Sequence, residues 1–163
     1  MKKLAIFAVI ASMFATMATA QVTITKRDKV QPDMMMFIDM ALTAAKNEKA
    51  ADGVALIQYG APKTFAAGTS AKEAAIEAIA KTGKKKLEGY VFFCVNEPST
   101  AAYNAICQAG AEAVFFVNSR DEVAKTSLGY VYDDSKVDET VAKVPLNKID
   151  FDEAAAYIKK FQK

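Results

Sequence analysis

Residues 87–117 constrain the fold of this chain more than any other stretch. They contain an apolar run at residues 90–95, a break at Glu97 and Pro98, a helical segment that ends at Gly110, and a second apolar run at residues 114–117. Two apolar runs bounded by turn residues, with one helix between them, are typical of a βαβ unit, whose strands lie parallel in one sheet. The sequence therefore predicts an α/β fold.

The polar residues that follow the first run mark the expected position of a site. In open α/β sheets, ligands bind beyond the carboxyl ends of the strands. We therefore expect any binding or catalytic chemistry at Asn96, Glu97, Ser99 and Thr100, which come directly after the first predicted strand.

The first twenty residues have the pattern of a secretory signal peptide. Lys2 and Lys3 form a basic region, an apolar region follows at residues 4–14, and residues 18–20 match the A-x-A cleavage pattern. The apolar stretch is shorter than the roughly 20 residues that span a bilayer. We expect cleavage after Ala20, no membrane association afterwards, and a bacterial protein that is periplasmic or secreted.

Residues 21–163, which number 143, are the size of a single domain with a substantial core. Loss of Lys2 and Lys3 with the signal leaves 19 Lys and Arg residues against 19 Asp and Glu residues. This balance argues against a nucleic-acid partner, because phosphates require a basic surface. The basic cluster at residues 84–86 is expected to be a solvated turn.

Two cysteines lie within the βαβ unit. Cys94 is on the first predicted strand and Cys107 is on the following helix, at a similar height above the sheet. In an oxidising compartment, a disulfide between them is one alternative. Two buried free thiols are the other alternative. Their spacing is not the C-x-x-C of a dithiol redox catalyst.

The chain before residue 87 supplies further elements. We expect an edge strand within residues 21–30, a helix that opens at Pro32, and a hairpin with strands at residues 53–59 and 63–68 around a turn at residues 60–62. An Ala-rich helix is predicted at residues 72–81, capped by Thr69 or Ser70. The residues of that helix expected to face inward are Ala75, Ile76 and Ile79.

The chain after residue 117 predicts a helical end. Asn118 or Ser119 is expected to cap a short helix that runs to Lys125, residues 130–132 to form a small strand, and residues 133–144 to form a surface loop. Asp150 is expected to cap a final helix. The apolar stripe of that helix is expected to dock on the sheet (Phe151, Ala154, Ala155, Ile158 and Phe161).

Three segments carry a resemblance to a known family: GVALIQYGAPKTFAAGTS at residues 53–70, AAIEAI at residues 74–79, and LEGYVFFCVNEPSTAAYNAICQAGAEAVFF at residues 87–116. In order and pattern they resemble the cytidine deaminase-like fold, nearest to the tRNA adenosine and guanine deaminases. The second segment resembles their H-A-E-I-x-A-I helix, and the third resembles their E-P-C-x-x-C strand end and helix. The resemblance implies a three-layer α/β/α fold with a mixed sheet of four or five strands.

The resemblance does not extend to the zinc site. In that family a His and two Cys hold Zn²⁺, and a Glu moves protons while zinc-bound hydroxide attacks the base. The resemblance places the His at Glu73, the Glu at Ala75, and the two Cys at Ser99 and Ala102, and the chain contains no histidine. A shift of two residues puts the Glu at Glu73 but the His at Ala71. We therefore expect no metal, no cofactor and no zinc deaminase activity.

The leading hypothesis is an exported, catalytically inactive deaminase-like domain that binds a small molecule or a protein. In a vestigial pocket, Tyr103 would stack on a flat ring while Asn96 and Glu97 read its edge; the same residues would equally suit a filled core rim. The candidate pocket residues are Glu73, Asn96, Glu97, Ser99, Thr100 and Tyr103.

Two alternatives stay open. One is a metal-independent, hydrolase-like enzyme that uses Ser99 and Glu97 at the same strand end, with Glu73 or Lys72 as the other residues that could activate Ser99. Against it, Ser99 and Thr100 would simply cap the helix while Glu97 accepts backbone hydrogen bonds. The other is a structural homo-oligomer, because the resemblance implies pairing through helices and hence a homodimer.

Overall fold

The computed structural model describes residues 22–25, 30–68, 73–126 and 136–162. The predicted signal peptide and the strand predicted at residues 130–132 lie outside the described residues, as do the caps predicted at Thr69 and Ser70. Within those four ranges, none of the helices combines the length and the hydropathy needed to cross a membrane.

A mixed sheet runs through the described part of the chain. Its six strands are β1 (Val22–Thr25), β2 (Gly53–Gln58), β3 (Ala61–Ala67), β4 (Tyr90–Asn96), β5 (Ala113–Asn118) and β6 (Leu146–Ile149). In space they follow the order β1-β6-β5-β4-β2-β3. The first four of these are parallel to one another, whereas β2 runs antiparallel to both β4 and β3. The predicted βαβ unit and hairpin are confirmed, and the sheet has six strands where four or five were predicted.

Helices cover both faces of this sheet. They are α1 (Pro32–Asn47), α2 (Ala74–Thr82), α3 (Thr100–Ala109), α4 (Arg120–Ala124) and α5 (Asp152–Ile158). One core lies between the sheet and α2 and α3, and the other lies between the sheet and α1 and α5. Alternate residues of β4 enter the two cores, because successive strand side chains point to opposite faces. This is the predicted three-layer α/β/α architecture.

Strand β6 lies in a segment for which the sequence predicts no strand. Its two apolar residues, Leu146 and Ile149, are buried, while Asn147 and Lys148 are half-buried. Four residues with this pattern are too few to reveal a strand by alternation alone. Parallel pairing with β5 on one side and β1 on the other supplies the hydrogen-bond ladder that local sequence does not predict.

Helix α2 begins two residues later than predicted. Of its three predicted inward residues, Ala75 is buried and Ile79 packs against the core as predicted, but Ile76 does not. Ala74, Ala75 and Ala78 are buried, whereas Ile76 is 40% exposed, so the prediction that Ile76 faces inward is wrong. Each residue advances about 100° around an α-helix, and Ile76 is therefore turned away from the face that the alanines share. Small side chains on that face let α2 lie close to the sheet.

The last helix is not capped by Asp150 as predicted. The N-cap residue of α5 is Phe151, which makes no side-chain capping bond. The buried stripe includes Tyr157, which was not predicted to lie in the core. Its hydroxyl donates to the carbonyl oxygen of Ala50 at 2.6 Å, and a satisfied hydroxyl makes burial of the ring favourable.

Strand β3 forms one edge of the sheet. The hairpin turns at Tyr59 and Gly60, with φ angles of 49° and 75°, and not at residues 60–62 as predicted. Two consecutive left-handed residues are typical of a two-residue hairpin loop, and an edge strand tolerates Pro62. From α2, Lys81 Nζ donates to the carbonyl oxygen of Phe65 at 3.2 Å on this edge.

Candidate functional site

The predicted site residues lie where three strands reach the same edge of the sheet. Parallel strands β4 and β5 end side by side, with Asn96 opposite Asn118. Because β2 is antiparallel to β4, its first residues lie at this edge too. Glu73 precedes α2 and Ser99 precedes α3, each at the N-cap position. The fold therefore brings residues from four separate segments together.

Ser99 is the best-connected residue of the group. Its side-chain oxygen accepts the backbone N–H of Ala102 at 3.1 Å, so Ser99 caps α3 as the structural alternative predicted. Its hydroxyl donates to Glu73 Oε1, and its backbone N–H donates to Glu73 Oε2 at 3.2 Å. Ser99 is only 2% exposed. A carboxylate at a helix N-terminus also interacts favourably with the helix dipole.

The two asparagines join the ends of the parallel strands. Asn96 Nδ2 donates to the carbonyl oxygen of Ala51 at 2.9 Å. Asn118 Nδ2 lies 3.1 Å from Asn96 Oδ1, 3.1 Å from the Val95 carbonyl oxygen and 3.3 Å from the Ala154 carbonyl oxygen. Both amides are buried. Their hydrogen bonds tie β4 to β5, to the segment before β2, and to α5.

Glu97 and Thr100 both contact Arg120. Glu97 Oε2 accepts the backbone N–H of Arg120 at 2.9 Å, and Arg120 Nε lies 3.5 Å from Glu97 Oε1. The guanidinium also donates to the Pro98 carbonyl oxygen, at 2.9 and 3.2 Å, and to Thr100 Oγ1 at 3.0 Å. Glu97 therefore accepts a backbone hydrogen bond, which was the structural alternative for this residue.

Tyr103 lies in the core and not on an open surface. It is 1% exposed, and its hydroxyl donates to the Val144 carbonyl oxygen at 2.6 Å. Burial raises the pKa of Tyr103, and a side-chain hydrogen bond with Cys107 raises it further. A ring enclosed in this way does not offer a face on which a ligand can stack.

The two cysteines are free and buried, so the disulfide alternative is not what the structure has. Burial raises the pKa of the Cys94 thiol, and the nearby negative charges of Asp52 and Glu73 raise it further. Cys107 instead neighbours the Tyr103 hydroxyl. Similar height above the sheet is insufficient for a bond, because the two side chains meet different neighbours.

The residues at the implied zinc positions do not fit a zinc site. Ala102 offers no donor atom and is fully buried, while Ser99 and Glu73 are hydrogen-bonded to each other. Zinc prefers thiolate or imidazole ligands, and a raised pKa keeps the Cys94 thiol protonated. Among the described residues, no three or more His, Cys, Asp or Glu side chains are grouped so that they could hold a metal ion.

Three residues of this edge were missing from the sequence prediction: Asp52, Asn118 as a partner of Asn96, and Arg120. Asp52 is 6% exposed and accepts the Gly53 N–H at 3.0 Å. The strand-end rule that selected Asn96 applies equally to Asn118, which follows the second strand of the βαβ unit. If the first hairpin strand is antiparallel to β4, it begins where β4 ends. Asp52, which directly precedes that strand, is then expected near Asn96. No local sequence pattern predicted that Arg120 contacts the residues that follow β4.

For the metal-independent alternative, the carboxylate beside Ser99 is that of Glu73. Glu97 is engaged with Arg120. Lys72, the other predicted partner of Ser99, lies outside the described residues.

No protein-family model matches this sequence, and no curated protein matches it. Solved structures do resemble it. A structure from work on tRNA deaminases that perform A-to-I editing at the wobble position has a TM-score of 0.56 and 17% identity, covering 75% of this chain and 98% of that chain. Guanine deaminase from Nitrosomonas europaea has a TM-score of 0.59 and 15% identity, covering 80% and 84%. The dCMP deaminase from cyanophage S-TIM5 has a TM-score of 0.51 and 16% identity, covering 73% and 99%. The chain therefore has the cytidine deaminase-like fold.

Proposed function

We propose that this chain is an exported deaminase-fold domain that does not perform zinc-dependent deamination and acts by binding. One observation carries the proposal: the carboxylate of Glu73 and the hydroxyl of Ser99 are bonded directly to each other. The resemblance assigns these two positions to ligands of one metal ion. Their direct contact agrees with this assignment of the two positions. It also fills the space between them that a metal ion would occupy.

The chemistry of the donor set supports the same conclusion. Zinc deaminases depend on the metal to form hydroxide near neutral pH. This chain has no histidine in 163 residues, and the second implied cysteine position is Ala102. A carboxylate, a hydroxyl and a methyl group do not provide the ligands that such a site requires.

A protein partner fits the geometry better than a small ligand inside the former pocket. Asn96, Ser99, Thr100 and Tyr103 are all buried and each has an internal hydrogen-bond partner. A ligand that displaced those partners would leave buried polar groups unsatisfied, at about 1–3 kcal/mol for each group. Binding at the outer surface requires no such displacement.

Metal analysis and turnover together test the loss of zinc chemistry. The mature protein, residues 21–163, is incubated with Zn²⁺, dialysed and measured by elemental analysis; assays with guanine, dCMP and adenosine-containing RNA then follow release of ammonia. We expect no retained stoichiometric zinc and no ammonia. One tightly held zinc per chain, or measurable turnover, would contradict the proposal.

Export and assembly need separate measurements. An exported protein should be recovered from the periplasm or the medium with Gln21 as its first residue, which intact mass determines. Light scattering on that material distinguishes a monomeric binding module from the homodimer that is the structural alternative. Recovery with residues 1–20 still attached would contradict the export part of the proposal.

A metal-independent enzyme is the second candidate, because one contact favours it. A serine hydroxyl that donates to a carboxylate has the arrangement of a nucleophile and its base. Ser99 is 2% exposed, however, and its oxygen also accepts the N–H of Ala102. Labelling of the mature protein with a fluorophosphonate separates the readings, because only an accessible and activated Ser99 forms the adduct.

A further inference from the structure

The carboxylate of Glu73 joins two helix N-termini that are distant in sequence. Glu73 is the N-cap residue of α2, Ser99 is that of α3, and 26 residues separate them. One carboxylate oxygen accepts the Ser99 hydroxyl and the other accepts the Ser99 N–H. Ser99 Oγ in turn accepts the N–H of Ala102, in the first turn of α3. One side chain thus connects the start of α2 to the first turn of α3.

We propose that the Glu73 carboxylate replaces a metal ion as the structural tie at this end of the fold. This inference rests on the alignment used for the proposed function, which puts one implied zinc ligand at Glu73 and another at Ser99. In a metal site, a cation would link two such positions through coordination bonds. Here the negative charge of Glu73 links them through hydrogen bonds, and no cation is required.

The local charges explain why an anion suits this position. The carboxylate accepts from two groups of Ser99 at the N-terminus of α3, where the helix dipole favours negative charge. Ser99 is buried, so solvent competes weakly for its N–H and its hydroxyl. Hydrogen bonds to a charged acceptor are roughly twice as strong as neutral ones.

The chain contains a matched control for this tie. Glu122 Oε2 accepts the backbone N–H of Ser119 at 2.6 Å and the Ser119 hydroxyl at 2.9 Å. This is the same pair of residue types at the next strand end, but Glu122 belongs to the helix that Ser119 caps. A local cap and a long-range tie should therefore respond differently to loss of the carboxylate.

A double-mutant cycle with Glu73→Ala and Ser99→Ala, read by urea unfolding of the mature protein, tests the tie. We expect Glu73→Ala to raise the unfolding equilibrium constant about 10- to 100-fold, because it leaves two buried donors of Ser99 without an acceptor. In the Ser99→Ala background the same change should have an effect smaller by about tenfold. Glu122→Ala should change the constant by less than about fivefold. Equal effects of Glu73→Ala in both backgrounds would overturn the proposal.

Hydrogen exchange measured by NMR locates the effect and does not require large destabilisation. In Glu73→Gln, which retains an oxygen acceptor but loses the charge, the Ser99 and Ala102 amides should exchange about tenfold faster, while the Ser119 amide is unchanged. Glu122→Gln should give the reverse pattern. Unchanged exchange at Ser99 in Glu73→Gln and Glu73→Ala would contradict the tie.

Failure of this inference and failure of the proposed function give different results. Zinc retention or turnover contradicts the function, whatever the mutant cycle shows. Additive energies with no zinc and no turnover contradict only the tie. In unmodified protein, a metal chelator should leave the urea midpoint unchanged, and a chelator-dependent loss of stability would contradict both.

Discussion

A serine paired with a glutamate follows both β4 and β5, but the glutamate comes from a different helix in one case and from the same helix in the other. At the end of β5, Ser119 is paired with Glu122, three residues ahead in the same short helix, and Glu122 is exposed. At the end of β4, Ser99 is paired with Glu73, which comes from another helix, and Ser99 is buried. The first pair stabilises one helix turn. The second pair fixes the position of one helix relative to another.

This difference shows why similar contacts have different consequences. Exposed carboxylate contacts are screened by solvent and contribute little. Contacts that bury polar groups must be kept intact, since loss of one partner leaves the other unsatisfied. The comparison predicts a graded series of effects across the two strand ends.

The largest effect is expected from Asn118, which bridges both ends. Its amide group contacts three buried acceptors, on Asn96, Val95 and Ala154. Asn118→Ala should reduce the free energy of unfolding by about 3 kcal/mol, because those acceptors lose their donor. Asn147→Ala is the control, because Asn147 makes one amide contact, to Val114, from a half-buried site. Similar losses in the two variants, measured by urea unfolding, would remove the distinction between the bridge and an ordinary contact.

Substitution of Arg120 tests whether the segment after β5 stabilises the segment after β4. Its guanidinium donates to Pro98 and Thr100, which both belong to the β4 side. Arg120→Lys keeps the charge but loses the planar set of donors, and should cost roughly 1–2 kcal/mol. Lys148→Ala removes a cation whose ion-pair partner within the described part of the chain is the exposed Glu122, and should cost less than about 1 kcal/mol. The reverse order in thermal unfolding would count against cross-strand support by Arg120.

Substitution of Tyr103 tests a buried hydrogen bond of α3 that does not involve the Glu73 carboxylate. Tyr103→Phe keeps the ring in the core but leaves the Val144 carbonyl oxygen without its donor. A loss of about 1 kcal/mol in the free energy of unfolding is expected. Tyr59→Phe is the control, because Tyr59 is 84% exposed and its change should have no measurable effect. If the two variants unfold alike, the Tyr103 hydroxyl is not stabilising.

The smallest effect is a pH dependence at the β5 end. Burial alone would raise the pKa of Glu122, but hydrogen bonds from Ser119 and the charge of Lys148 lower it below its ordinary value. A lowered pKa in the folded state gives stability that is present above the ordinary glutamate range, near pH 4.3, and is lost as pH falls through the folded pKa. Since Glu122 is largely exposed, the amount is below about 1 kcal/mol. In Glu122→Gln, the midpoint of urea unfolding should fall less as the pH is lowered below about 4 than it does in the unmodified protein. The same fall in both proteins would argue against a stabilising role for the Glu122 carboxylate.

The sequence predicted the part of the fold that depends on local pattern. Alternating and continuous apolar runs predicted β2, β4 and β5, and Gly110 predicted the end of α3, where its φ of 70° requires a left-handed residue. Strand β6 was not predicted, because its pairing with β5 and β1 is made by distant residues. One residue of α2, Ile76, was wrongly assigned to the inward face because of its apolar character, whereas the fully buried positions of this helix are alanines.

The sequence predicted where the candidate site lies, but it did not predict which residues there are hydrogen-bonded to each other. The strand-end rule located Asn96, Glu97, Ser99 and Thr100. It carries no information on pairing, so it gave Glu97 a role beside Ser99 that geometry gives to Glu73. A partner 26 residues away in the chain is set by the packing of α2 on the sheet, which sequence pattern does not determine.

The lysine that meets the outer strand of the hairpin has a consequence for association. An uncovered strand edge invites a neighbouring polypeptide to add to it through main-chain hydrogen bonds. With Lys81 Nζ already bound to the Phe65 carbonyl oxygen, an incoming strand has to displace a cation as well as water. Addition of a second chain to this strand at Phe65 is therefore disfavoured.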